Sequence, residues 1–153
     1  MCFMLFAGTD KPIPRKEFDS NEPGISVEQL HDNEREIRVH FTRREVQNIG
    51  STSNCGCDFP WVMFQSGGWP IADEAEKDKE QEAIELINRQ ELVELLKRIN
   101  EESVELYGVW AGDYTSAPQR REIIPVARIL DSDFRLKERG FYQVSLSRVD
   151  GSS

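Results

Sequence analysis

The sequence predicts an α+β fold, a mixed β-sheet with about two principal helices packed on it, and a three-layer α/β arrangement is the near variant. Three observations lead there. Apolar or alternating runs of strand length stand towards both ends of the chain, at 2–7, 103–110 and 141–149. Between them Ala83, Ile84, Ile87, Leu92, Leu95, Leu96 and Ile99 fall at helical spacing. The order of strands, then helices, then strands separates the two element types along the chain.

The run 2–7 is continuous and apolar, the pattern of a buried strand. It ends in Gly8, Thr9 and Asp10, then Pro12 and Pro14, which cannot donate to a sheet interior. Residues 15–24 are polar and close on Pro23 and Gly24, a surface connection. Ser26 followed by Gln29 fits a capping box and predicts a short helical turn. Ile37, Val39 and Phe41 alternate with Glu36, Arg38 and His40, which predicts a half-buried strand with His40 on its polar face. A further strand, 46–49, feeds the loop Gly50-Ser51-Thr52-Ser53-Asn54-Cys55-Gly56-Cys57. The aromatic stretch 59–64 is expected to be irregular, closed by Ser66, Gly67, Gly68, Trp69 and Pro70.

Asn88 with Glu91 could cap a second helix, so the helical region is expected as one long helix or as two with a break near Asn88. The alternation in 103–110 is a strand ended by Gly112 and Asp113. Pro125 is placed as the first residue of a short helix over Val126, Ala127, Ile129 and Leu130. The β-rich residues 141–149 form the last strand, after Gly140, and 151–153 form a frayed tail. The whole reads as one domain over 1–150.

At 153 residues, with 38% hydrophobic and 31% charged residues, the chain can bury one core without disulfide staples. A net charge of −9 disfavours nucleic acid and anionic membrane surfaces as partners. Most of that charge is the segment 73–105, with twelve acids against five bases, read as a solvated helical face. The apolar N-terminus has no basic residue before it and is too short for a signal peptide or a membrane span, so a cytoplasmic location is expected. Three cysteines, an odd number, then point to free, metal-bound or redox-active thiols.

Cys55 and Cys57 flank one glycine, which can turn both sulfurs to the same side. Several chemistries suit that spacing. As a zinc site, Cys55 and Cys57 give two thiolates, and Cys2 with His40 or His31 completes a tetrahedral set. As a redox pair, Cys55 and Cys57 form a small, strained, reversible disulfide. As a nucleophile, Cys2 uses its own amino group after loss of Met1, or one of the thiols uses His40 as base. Against all three stands the plainer role of small buried thiols in a turn that needs glycine. Trp61, Trp69 and Trp110 are expected in the core rather than around a ligand, and Arg120 with Arg121 as a solvated pair.

Met1-Cys2, the segment Gly8-Thr9-Asp10-Lys11-Pro12, the loop from Gly50-Ser51 to Cys55-Gly56-Cys57-Asp58-Phe59, and Phe141-Tyr142 together resemble a family of short uncharacterised bacterial proteins with the same ends and cysteine loop. The resemblance spans nearly the whole chain. It implies a stand-alone bacterial protein and carries no activity or cofactor. The function expected from the residues is a cysteine-centred metal (zinc) or thiol-redox site. The competing expectations are a protein-interaction module, using the acidic helix or the aromatic segment 59–69, and a small cysteine hydrolase or transferase.

Overall fold

The computed structural model describes residues 2–62 and 79–146. Among the described residues there are eight strands: β1 (Phe3–Thr9), β2 (Ser26–Gln29), β3 (Glu45–Gly50), β4 (Trp61–Val62), β5 (Ser103–Trp110), β6 (Arg120–Pro125), β7 (Leu136–Lys137) and β8 (Gly140–Ser145). One α-helix, α1 (Lys79–Lys97), and 3-10 helices at Asp32–His40 and Val126–Leu130 accompany them. Six strands form one mixed sheet in the order β2-β3-β1-β5-β8-β6, antiparallel except for the parallel pair of β6 with β8. β4 and β7 pair in parallel apart from it. The predicted α+β class holds.

Period-two geometry divides the sheet side chains between two layers. Phe3, Leu5 and Ala7 of β1, Val104 and Leu106 of β5, and Tyr142 and Val144 of β8 join Leu92, Val93 and Leu96 of α1 in the main core. Phe6, Tyr107, Val109 and Phe141 point the other way and meet Ile37 of the first 3-10 helix. Both sides of the central strands are therefore covered, which explains why β1 and β5 are apolar almost throughout.

Two local expectations are overturned. Residues 36–41 do not form a strand: 36–40 belong to the 3-10 helix Asp32–His40, and Phe41 is its C-terminal cap. Its buried positions, Glu34, Ile37 and His40, recur every three residues, the pitch of a 3-10 helix, while Val39 is 76% exposed where a strand would have buried it beside Ile37. Ser26–Gln29 is not a helical turn. It pairs with β3 from Ser26↔Gly50 to Gln29↔Gln47 and buries Val27. Tertiary pairing outweighs the local capping pattern there.

α1 is one uninterrupted helix over Lys79–Lys97, without a break at Asn88. Pro125 ends β6 and precedes the short 3-10 helix in the expected place. β6 itself has no counterpart in the sequence prediction, because an edge strand with exposed Arg120, Arg121 and Ile123 lacks an alternating apolar face. The expectations for Ser66 to Trp69, for 73–78, for the end of the last strand and for the tail 151–153 lie outside the described residues. No helix among the described residues is long and apolar enough to cross a membrane.

Candidate metal centre

β3 leaves the sheet at Gly50 beside the start of β1, because the two strands run antiparallel with Leu5↔Ile49 in register. The next residues make a tight turn. Asn54 N–H donates to the Ser51 carbonyl at 2.9 Å, and Ser51 N–H donates to the Cys55 carbonyl at 2.6 Å. Asn54 takes φ +72°, a left-handed conformation that asparagine tolerates better than most residues.

The turn delivers Cys55-Gly56-Cys57 onto the first strand. Gly56 N–H donates to the Phe3 carbonyl at 2.7 Å, and a Cβ on residue 56 would lie only 2.7 Å from that same oxygen. Glycine is required by this approach. Phe3 N–H donates to the Cys57 sulfur at 3.4 Å, so both polar groups of Phe3 are engaged by the loop. With Phe3 held from one side and the Cys2 carbonyl accepting from Ala111 N–H at 2.8 Å, Cys2 is pinned next to the loop.

The result is a cluster of three sulfurs. The Sγ atoms of Cys2, Cys55 and Cys57 all lie within 4.8 Å of one another, each side chain half-buried, and none is bridged. Two thiolates on one tetrahedral zinc lie about 3.8 Å apart, given Zn–S near 2.3 Å, so a small inward adjustment suffices. The Ser53 hydroxyl approaches Cys55 Sγ at 3.8 Å. Phe3 stacks on Trp61 at 5.4 Å, and Trp61 meets Trp110 edge-on at 5.1 Å, an aromatic wall beside the sulfurs.

The thiols are electrostatically unequal. Burial opposes ionisation of Cys55, but hydrogen bonds from the side chain and backbone of Cys57, from Ser53 and from Cys2 outweigh it, and its pKa falls below the ordinary thiol value. Burial pushes Cys57 up to about 12, with its hydrogen bond to Cys55 and the nearby negative charge of Cys55 and Cys2 adding to the effect. In the metal-free cluster Cys55 is therefore the more acidic thiol, and Cys57 is the one that keeps its proton and donates to it.

His40 is not a member, which corrects the expected ligand set of Cys2, His40, Cys55 and Cys57. Its Nε2 lies 2.9 Å from the Tyr114 carbonyl, and its ring packs against Tyr107 at 5.2 Å. Tyr107 and Tyr114 belong to the layer opposite α1, whereas Cys57 packs on the α1 side. The three-residue pitch of its helix carries His40 there together with Ile37. His31 sits exposed at the start of that helix and is not in the cluster either. The reading of a thiol activated by His40 loses its base.

Asn88, which the sequence offered as the cap of a second helix if the helical region broke there, is instead an anchor of the cysteine loop. Fully buried on α1, it accepts from Thr52 N–H at 3.0 Å and donates to the Thr52 hydroxyl at 3.0 Å and the Ile84 carbonyl at 2.9 Å. A polar residue four before Leu92 on the apolar stripe was its signal. Trp61, expected simply in the core, also supports the site, its Nε1 donating to the Cys57 carbonyl at 2.9 Å. Asn88→Ala is expected to cost about 1–3 kcal/mol, because the Thr52 groups lose a buried partner. Were the three sulfurs to hold a metal ion, the same change should weaken its binding by roughly tenfold, as loss of an outer support does. Urea unfolding beside a zinc titration would check both, and unchanged affinity would show that the loop holds its shape without α1.

Comparison with models of known protein families, with curated proteins and with solved structures returns no match.

Proposed function

We propose that this protein binds a thiophilic divalent cation, Zn²⁺ in the first instance, through Cys2, Cys55 and Cys57. The observation that carries the reading is the convergence of three half-exposed sulfurs, from segments some fifty residues apart in sequence, to within 4.8 Å. A lone Cys-x-Cys turn brings two sulfurs together locally. A third arriving from the end of another strand, held by hydrogen bonds to both sides of Phe3, makes a donor set. The described residues supply three ligands, which leaves one position of a tetrahedral ion for a further donor, as in zinc sites that act on a bound molecule. The ion would lock β1 to the loop and act as a Lewis acid on whatever occupies that position.

Native mass spectrometry of freshly purified, untagged protein, with and without chelator, tests this directly. One zinc per chain, lost to chelator and regained on adding Zn²⁺, is expected, with three thiols titrating in the denatured apo protein. The variants Cys2→Ser, Cys55→Ser and Cys57→Ser should each lose the one-equivalent binding. Since thiols must shed their protons to ligate, and Cys57 holds its proton up to about 12, apparent zinc affinity should climb with pH through the neutral range. A pH-independent affinity would take Cys57 out of the ligand set.

A thiol-redox role is the second reading, favoured by the hydrogen-bonded and unequal Cys55 and Cys57 pair. Oxidation by a disulfide would join their sulfurs, and the two electrons and two protons would pass to the oxidant as two thiols. An apo mass lighter by two hydrogens, with one titratable thiol, would favour it over zinc.

A further inference from the structure

A groove lies between the segment 10–16 and the C-terminal half of α1. We infer that it binds an organic monocarboxylate with an apolar body, independently of the thiols. It encloses about 770 Å³, within the size range of small-molecule sites. β1 runs from Phe3, beside the sulfurs, to Thr9, close to this groove. Its seven residues set the two sites about 20 Å apart.

The wall is built rather than incidental. Glu101 accepts from the backbone N–H groups of Asp10 and Lys11 at 3.0 and 3.1 Å. The buried Gln47 accepts from Ile13 N–H and donates to the Ile13 carbonyl, both at 2.8 Å. Lys16 and Val27 exchange backbone hydrogen bonds of 3.0 and 2.8 Å. Pro12 and Pro14 stiffen the stretch between these anchors. Fixed at its start, middle and end, the segment cannot fold down onto Leu95 and Ile99, so the groove stays open and little ordering is needed to fill it.

The lining states the ligand's chemistry. Ile13, Ile25, Val27, Leu95 and Ile99 supply apolar walls. Lys11, Lys16 and Arg98 bring positive charge, and among the described residues these three have no ion-pair partner. Of the carboxylates on the lining, Glu91 is engaged by Ile25 N–H at 3.0 Å, and Glu101 by the backbone and by Arg43 at 3.0 Å. Only Glu94 stands against the three cations. With Arg15 counted, four cations face three carboxylates, a balance of one positive charge in a chain of net −9. That balance fits a single negative charge, and a phosphate-bearing polyanion would meet the carboxylates as well. Apolar walls with a few convergent charges fit a hydrocarbon or aromatic body ending in one carboxylate.

The test is a two-dimensional amide NMR titration of the full chain with decanoate, and in parallel with decanol and with inorganic phosphate. Decanoate is expected to shift the amides of Ile13, Ile25, Leu95 and Ile99 saturably while those of Cys55 to Cys57 stay in place. Its affinity should drop about tenfold in Arg98→Glu and in Lys11→Glu, the loss of one well-placed charge interaction. Both positions are exposed, and the milder Arg98→Gln serves if either reversal perturbs the fold by circular dichroism. Decanol binding as tightly as decanoate would sink the anionic end, and phosphate binding more tightly would sink the apolar body. Unsaturated or absent shifts at millimolar decanoate would remove the site altogether.

Discussion

Replacing Arg89 by methionine is expected to lower the unfolding free energy by about 2–3 kcal/mol, with a matching fall in the urea midpoint. Arg89 is 4% exposed and sits on the buried stripe of α1, one residue after Asn88. Its guanidinium donates to four backbone carbonyls: Ile129 at 2.9 Å, Asp131 at 2.6 Å, Ser132 at 3.4 Å and Phe134 at 3.0 Å. These carbonyls cluster where the 3-10 helix Val126–Leu130 ends and the chain turns towards β7. Methionine retains the apolar stem and removes every donor, so the buried Ile129 carbonyl loses its guanidinium partner, while Asp131 keeps the Phe134 N–H and Ser132 and Phe134 keep the Arg135 guanidinium. Arg89→Lys should recover only part of the loss, since a point-like ammonium with three donors cannot span four carbonyls that a planar fork reaches.

The same substitution should reach the thiols. The segment after Phe134 enters β7, where Leu136 N–H donates to the Pro60 carbonyl at 2.7 Å and Leu136 pairs with Trp61, whose indole holds the Cys57 carbonyl. A loosened 129–134 turn therefore loosens one support of the cysteine loop. A loss under about 1 kcal/mol for Arg89→Met would mean that water replaces the guanidinium at these carbonyls.

In the metal-free protein near neutral pH, iodoacetamide should alkylate Cys55 roughly a hundredfold faster than Cys57. Only the thiolate attacks, and Cys57 is held as a thiol up to about 12 by burial and by its negative neighbours. Cys55, with its pKa lowered, is ionised over a larger fraction of the population. The lower intrinsic nucleophilicity of the more acidic thiol narrows the gap without closing it.

The signs also set the pH dependence. Cys55 has its pKa lowered on folding, so it contributes stability above the unfolded thiol value, which is lost as pH falls through its folded pKa. Cys57 has its pKa raised, so it contributes stability below the unfolded thiol value, which is lost as pH rises towards 12. Peptide mapping after timed alkylation reads the two rates, and equal labelling of both cysteines would refute the asymmetry. One equivalent of Zn²⁺ should protect both.

Much of the scaffold was legible because burial on both faces of a strand, or along one stripe of a helix, leaves a pattern in a single segment. The apolar 2–7 run became β1, the alternating 103–110 run became β5, and the stripe through Leu92 and Leu96 became the core face of α1. The failures are positions where two patterns share the same residues. Ile37 and Val39 read as a strand at period two, while Glu34, Ile37 and His40 read as a 3-10 helix at period three, and only the second face found a partner layer. Asn88 carries the mark of a cap and of a buried anchor alike, and the presence of Thr52 opposite decided for the anchor.

The sequence by itself determined the α+β class, the amphipathic helix, and a turn that presents Cys55 and Cys57 around a glycine. These are local consequences of side-chain period and backbone freedom, and neighbours in the chain suffice to express them. Tertiary structure alone decided which other residues meet those two sulfurs. The antiparallel register of Leu5 with Ile49 sets Phe3 beside the cysteine loop, and the hydrogen bonds of Phe3 to Gly56 and Cys57 then seat Cys2 there. The pitch of a helix on the far side of the sheet removes His40. Pairing register and layer assignment depend on contacts some fifty residues apart, and no window of sequence contains them.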